Sequence, residues 1–123
     1  MEDITASAIK RDHLEKFSGK ALYVCDYPDD DFLTGKLLYS TRAHARILSV
    51  NHPVLPKGYF YISYKDVPGE NRVQIVQDDL PVFAEDTVEY IGQAIGMICG
   101  PDEAVVVRLL SECKVSYEDL PVI

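Results

Sequence analysis

Residues 90–100 run Tyr-Ile-Gly-Gln-Ala-Ile-Gly-Met-Ile-Cys-Gly without one formal charge, and such a stretch fits only where water is excluded. The rest of the chain has to be arranged around it. The alternation predicts a strand over 88–91, a turn at Gly92-Gln93 and a returning strand over 94–99. A helix is predicted over about 101–112. Gly100 suits its N-cap and Pro101 its first position, where a missing N–H loses no hydrogen bond, while Asp102 and Glu103 set negative charge at the positive end of the dipole. Arg108 marks the exposed side, so Val106, Leu110 and Cys113 are expected at the buried centre, with Ala104, Val105 and Ser111 flanking the exposed one. The Val105-Val106-Val107 triplet suits a strand equally well, and the cap and the length decide for helix. Residues 114–119 alternate again, Val115 and Tyr117 against Ser116 and Glu118, as in a half-exposed final strand.

Upstream, residues 1–18 read as a polar lead-in with a short helical turn around 10–16, stopped by Ser18-Gly19, and residues 19–123 as a single domain. The apolar run 21–25 suits a strand or an extended segment, ended by the turn residues Tyr27-Pro28-Asp29-Asp30-Asp31. Strands are expected over 35–39 and 46–51, the second with Ile47 and Ser49 facing one way and Leu48 and Val50 the other. The clearest β segment is 58–64, with Tyr59, Tyr61 and Ser63 on one face and Phe60, Ile62 and Tyr64 on the other. Residues 65–71 read as a turn or 3-10 segment broken at Pro68-Gly69, and Gln77-Asp78-Asp79 as loop.

Several residue patterns invite a chemical role, and in each case the plainer reading is structural. Three adjacent aspartates at 29–31 lack the alternating ligands, central glycine and terminal glutamate of a calcium loop, so they read as a solvated turn. His44 has no cysteine, serine or acidic partner close in sequence and reads as a hydrogen-bonding structural residue; His13 sits in the lead-in and needs no role. The tyrosine stripe at 59–64 is followed by Asp66 and Glu70 where a base-stacking platform needs a positive groove, which favours core packing. Gly92 and Gly96 do not lie between a strand and a helix N-terminus and no P-loop lysine follows, so close backbone packing accounts for Gly96. Cys25, Cys99 and Cys113 are odd in number with no Cys-x-x-Cys spacing, and they read as buried reduced thiols of a cytoplasmic protein. A chain of 123 residues with formal net charge −8 opposes nucleic acid, and no apolar run is long enough to span a membrane. Met1-Glu2-Asp3 opens no export signal.

Taken in order, Gly19-Lys20-Ala21 with Tyr23 and Asp26, Ser40-Thr41-Arg42-Ala43-His44-Ala45-Arg46-Ile47, Asp66-Val67-Pro68-Gly69 with Asn71, Val82-Phe83-Ala84 with Asp86 and Val88, Gly92-Gln93, and Val115 with Tyr117-Glu118-Asp119-Leu120-Pro121 resemble one known domain. It is the α/β hammerhead at the start of the molybdenum-binding part of the xanthine dehydrogenase and aldehyde oxidase family. The resemblance covers about residues 11–121, and the Ala-His-Ala-Arg-Ile and Tyr-Glu-Asp-Leu-Pro stretches lean toward the xanthine dehydrogenase branch. It implies an α+β fold, a mixed or antiparallel sheet with one main helix packed on it. It also implies a larger oxidoreductase that hydroxylates purines, other N-heterocycles or aldehydes with oxygen from water. Molybdopterin, iron–sulfur clusters and FAD would belong to that parent, in domains or subunits other than this one. No catalytic, cofactor-binding or metal-binding residue carries over to this chain, and Gln93 matches the hammerhead's own turn rather than the glutamine near the metal. The domain is expected to be inactive alone, with the remaining domains or subunits of an oligomeric parent as its partners. The alternative is a free-standing scaffold of the same fold with no enzyme attached.

Overall fold

The computed structural model describes residues 10–23, 26–27, 32–73 and 80–121. The chain divides into two compact units, Met1–Asp31 and Phe32–Ile123. In the first, α1 (His13–Phe17) is a single short helix in which Lys16 pairs with Asp12 one turn earlier. It stops as Gly19 takes φ 70°, the left-handed conformation that closes helices. Of the run 21–25, expected as a strand or an extended segment, the described residues 21–23 form no strand. The Tyr23 N–H instead donates to the Asp26 carboxylate at 2.8 Å, a local bond that competes with strand pairing. Cys25, the three aspartates at 29–31 and the loop at 77–79 lie outside the described residues.

The second unit holds β1 (Thr34–Tyr39), β2 (Ala45–Asn51), β3 (Phe60–Ser63), a 3-10 turn (Tyr64–Asp66), β4 (Thr87–Val88), β5 (Ala94–Gly100), α2 (Glu103–Ser111) and β6 (Lys114–Asp119). These strands make two three-stranded sheets, one ordered β1-β5-β3 and the other β4-β2-β6, and every pairing between them is antiparallel. Residues 94–100 of the uncharged segment are the central strand of the first sheet, hydrogen-bonded on both sides, whereas Tyr90 and Ile91, expected inside, stand 47% and 69% exposed in the turn before it. The expected hairpin of 88–91 with 94–99 does not form. β4 pairs with β2, Ala45 opposite Val88, and the turn at Gly92, with φ 90°, carries the chain from one sheet into the other. Alternating hydrophobicity identifies a strand but not its partner.

Two bulges settle which side chains reach the cores. Opposite β1, Leu38 pairs with Gly96 and Tyr39 with Ala94, leaving Ile95 as the extra residue. Ile95 turns into a cluster with Ala45, Ala84 and Val88, while Ile98 belongs to a second cluster with Val106 and Leu109. One strand thus anchors both cores. In β2 the register with β6 shifts between Ile47 and Ser49, so Leu48 is the extra residue and stands 60% exposed. The expected opposition of Ile47 to Val50 is therefore lost, and both pack on the first cluster with Val115 and Tyr117. A bulge inserts one residue and re-aims the strand beyond it.

The Tyr59 and Tyr61 side of β3 lies against Ile98, Val106 and Leu109, as core packing of the stripe requires. It can do so because β5 offers no side chain beneath the rings. A Cβ on Gly100 would collide with the Tyr59 ring, and one on Gly96 would stand 2.5 Å from the Tyr61 hydroxyl and 2.8 Å from the Ile62 carbonyl. Rings laid over strand glycines restore the contact that a missing side chain forfeits.

α2 starts later than expected. β5 runs through Gly100, and the cap is Asp102, whose carboxylate accepts the Val105 N–H at 3.0 Å. A carboxylate reaches an orphan N–H that glycine cannot satisfy, so it wins the cap position and Pro101 falls outside the helix. The buried centre is Val106 with Leu109; Leu110 and Cys113 pack at its margin and Val105 turns inward. The helix crosses β1 and β5, and Lys36 pairs with Glu103 at 2.6 Å. Gly96→Ala is expected to destabilise the fold by about 1–3 kcal/mol through overpacking, and Leu109→Ala by about 2–5 kcal/mol through an unfilled cavity, both read from urea unfolding midpoints.

Candidate functional site

Five polar residues of the sequence motifs, Ser40, His44, Asp66, Asn71 and Gln93, face backbone. Ser40 is 2% exposed; its hydroxyl donates to the Arg42 carbonyl at 2.9 Å and accepts the Arg42 N–H at 3.0 Å. Its own N–H donates to the Gln93 carbonyl at 2.8 Å, and its carbonyl accepts the Gly92 N–H at 2.8 Å. Gln93, 4% exposed, accepts the Glu89 N–H on Oε1 at 2.7 Å. Together they tie the end of β1 to the turn between the two sheets. Gln93 thus sits in the turn between the two sheets, with its Oε1 engaged there.

Asn71 performs a similar task across the segment that follows the 3-10 turn. Its Nδ2 donates to the Phe83 carbonyl at 2.7 Å and to Glu85 Oε1 at 3.0 Å, while Oδ1 accepts the Phe83 N–H at 3.0 Å. Asp66 closes a capping box, its carboxylate accepting from the Ser63 N–H at 2.9 Å and from the Ser63 hydroxyl at 3.0 Å. Those two donors, the N–H foremost, hold the Asp66 carboxyl below its ordinary value. The resemblance points to both residues in the sequence. The Ser-x-x-Asp spacing at 63–66 is a local signal for the second role; for Asn71 the partners are twelve residues or more away and no local signal exists.

His44 is a structural clamp. Its Nδ1 lies 2.7 Å from the Pro121 carbonyl, which can only accept, so Nδ1 carries the proton; its carbonyl in turn accepts the Leu120 N–H at 3.0 Å. Beside it Arg46 pairs with Glu118 at 2.9 Å and Arg42 with Asp119 at 3.6 Å, exposed contacts of small worth. His52 stacks on Tyr61 at 4.9 Å and His13 on Phe17 at 5.7 Å. Burial pushes the Cys113 thiol up, with Glu112 adding to it, and the Sγ rests 3.5 Å from the Leu109 carbonyl. Burial likewise raises the Tyr61 phenol, reinforced by Cys113 and Asp66. Neither group is set up as a nucleophile or base at neutral pH.

Two grooves are found among the described residues. An open groove of about 340 Å³ lies between β2 and β3, bordered by Ile47, Leu48, Tyr61, Tyr64 and Lys65, and a second of about 210 Å³ is bordered by Arg72, Glu85, Asp86, Glu89 and Gln93. Among the described residues no three His, Cys, Asp or Glu side chains converge as metal ligands. A pterin cofactor needs amide groups aimed into a slot, and here the amides of Gln93 and Asn71 are turned onto backbone.

Gln93→Ala is expected to cost about 1–3 kcal/mol in urea unfolding by leaving the Glu89 N–H without its acceptor. Because the folded-state pKa of Asp66 is depressed, its capping contribution is present above the unfolded value and disappears as pH falls through the lower folded one. Asp66→Ala is therefore expected to lower the melting temperature at pH 7, with the gap to the parent chain closing on acidification below pH 3.8.

The sequence profile described as "Aldehyde oxidase and xanthine dehydrogenase, a/b hammerhead domain" matches residues 18–121. A probable xanthine dehydrogenase component of Bacillus subtilis (strain 168) is 34% identical over 94% of this chain and 16% of that protein. The "Xanthine dehydrogenase/oxidase" of Felis catus is 39% identical over 86% of this chain and 8% of that protein. The "Nicotinate dehydrogenase large molybdopterin subunit" of Eubacterium barkeri is 31% identical over 91% and 27%. The chain thus spans between 8 and 27% of the length of these three relatives. Among solved structures, quinoline 2-oxidoreductase from Pseudomonas putida 86 superposes with a TM-score of 0.72 at 22% identity, over 94% of this chain and 16% of that one. Aldehyde oxidoreductase from Desulfovibrio gigas superposes with a TM-score of 0.71 at 24% identity, over 90% and 14%. These two likenesses show the fold, antiparallel sheets with few helices. With the profile running through nearly every described element of the second unit, the chain belongs to the aldehyde oxidase and xanthine dehydrogenase family as its α/β hammerhead domain.

Proposed function

We propose that this hammerhead is an architectural domain of a molybdenum hydroxylase on the xanthine dehydrogenase side of the family. The parent enzyme inserts water-derived oxygen at a carbon of a purine, another N-heterocycle or an aldehyde. One observation carries the reading: Ser40, His44, Asp66, Asn71 and Gln93, five of the polar residues of the family motifs, each hydrogen-bond to backbone within the domain. Side chains so committed hold a scaffold in shape and are not aimed at a substrate. The names of the relatives support the parent's chemistry, one being a molybdopterin subunit and one neighbour a Cu,Mo-CO dehydrogenase.

In this reading no residue of the chain is catalytic, and molybdopterin, the iron–sulfur clusters and FAD sit in the other domains or subunits of an oligomeric cytoplasmic enzyme. Its partners are those domains rather than nucleic acid or a membrane; the formal net charge of −8 opposes the first, and among the described residues no helix is long and apolar enough to cross the second.

The purified 123-residue chain is expected to contain no molybdenum by elemental mass spectrometry and to leave hypoxanthine and xanthine unchanged. Stoichiometric metal or measurable turnover would overturn the architectural assignment. A gene ending at Ile123, with no molybdopterin subunit for the chain to join, would favour the free-standing scaffold.

A further inference from the structure

The two sheets differ in what they turn outward. On the second, Arg46 and Glu118 form an ion pair on the side away from the cluster that holds Ile47 and Tyr117, an ordinary solvated face. On the first, one side is filled by α2, against which Ile98 is buried and to which Lys36 reaches through Glu103. The register fixes the opposite side. Leu37 pairs with Met97, Ile62 with Met97, and Phe60 with Cys99, so Leu37, Phe60, Ile62, Met97 and Cys99 share a face across three strands. None of these five belongs to either core cluster; Phe60 is 53% exposed, Leu37, Ile62 and Met97 are half-buried, and Cys99, at 8%, is buried. No charged side chain of β1, β3 or β5 points this way: among them the one charged residue is Lys36, on the helix side.

We infer that this face, opposite α2 and centred on Phe60, Ile62 and Met97, is the surface by which the hammerhead docks onto the rest of the molybdenum-binding polypeptide. The inference rests on the architectural reading and adds the location. An uncharged apolar sheet face is costly to leave in water. In the named relatives the matching segment is 8 to 27% of the protein, so the bulk of the polypeptide, rather than a second copy of this domain, is the surface available to cover it.

The test is cysteine accessibility in the complete enzyme, made as one chain or as joined subunits. Phe60→Cys and, as a control, Val54→Cys, 95% exposed in a loop, are labelled with a maleimide and quantified by peptide mass spectrometry. Both positions are expected to label at similar rates in the 123-residue chain, and position 60 at least about tenfold more slowly than position 54 once the enzyme is assembled. Phe60→Lys is expected to lower the yield of assembled enzyme while Val54→Lys does not, with circular dichroism of each isolated chain matching the parent. Equal labelling of the two positions in an active assembled enzyme overturns the face and leaves the architectural reading standing. Protection of position 60 in the isolated chain that grows with concentration assigns the face to a second copy and overturns the proposed occupant. Failure of the chain to join a molybdenum-containing assembly overturns both.

Discussion

Everything in the second unit depends on how β5 is packed. It is hydrogen-bonded on both sides, and it sends Ile95 into one core and Ile98 into the other. The bulge opposite Tyr39 makes this possible, because an unbroken ladder would hold Ile95 on the same side as Met97. Absence of side chains matters as much as their presence. The bare backbone at Gly96 and Gly100 lets Tyr61 and Tyr59 lie across the strand and complete the core beneath α2. Two small cores, rather than one large one, are thereby joined through a single strand.

Polar groups stabilise the connections in the same spirit. The Ser40 and Gln93 pair holds the crossing between sheets, Asn71 holds 83–85 and Asp66 closes the 3-10 turn. Each meets a backbone group that irregular chain would otherwise leave unpaired. A domain with short strands and long connections needs such fasteners where ladders are missing.

The sequence made some of this legible and withheld the rest for identifiable reasons. Lys114–Asp119 was visible because Val115 and Tyr117 alternate cleanly with polar neighbours. The charge-free run over Ala94–Gly100 was visible because it has no tolerable exposed position. The partner of residues 88–91 was not, since period-two alternation is blind to which strand lies alongside. The bulge at Leu48 was hidden because Arg-Ile-Leu-Ser-Val-Asn reads as ordinary alternation whether or not a residue is inserted. At the start of α2 Gly100 is the cap the sequence suggests, with Asp102 only a charge at the dipole, and the reach of the Asp102 carboxylate to Val105 moves the cap two residues on. Among the site candidates, the structural reading of His44 was available from its lack of sequence neighbours; its partner at Pro121, 77 residues on, was not.

The two bare positions are not equivalent. At Gly100 the nearest obstacles to a side chain are all atoms of the Tyr59 ring, so a smaller residue at 59 could make room for one; at Gly96 the Ile62 carbonyl stands 2.8 Å from an added Cβ as well, and no exchange at 61 moves that backbone.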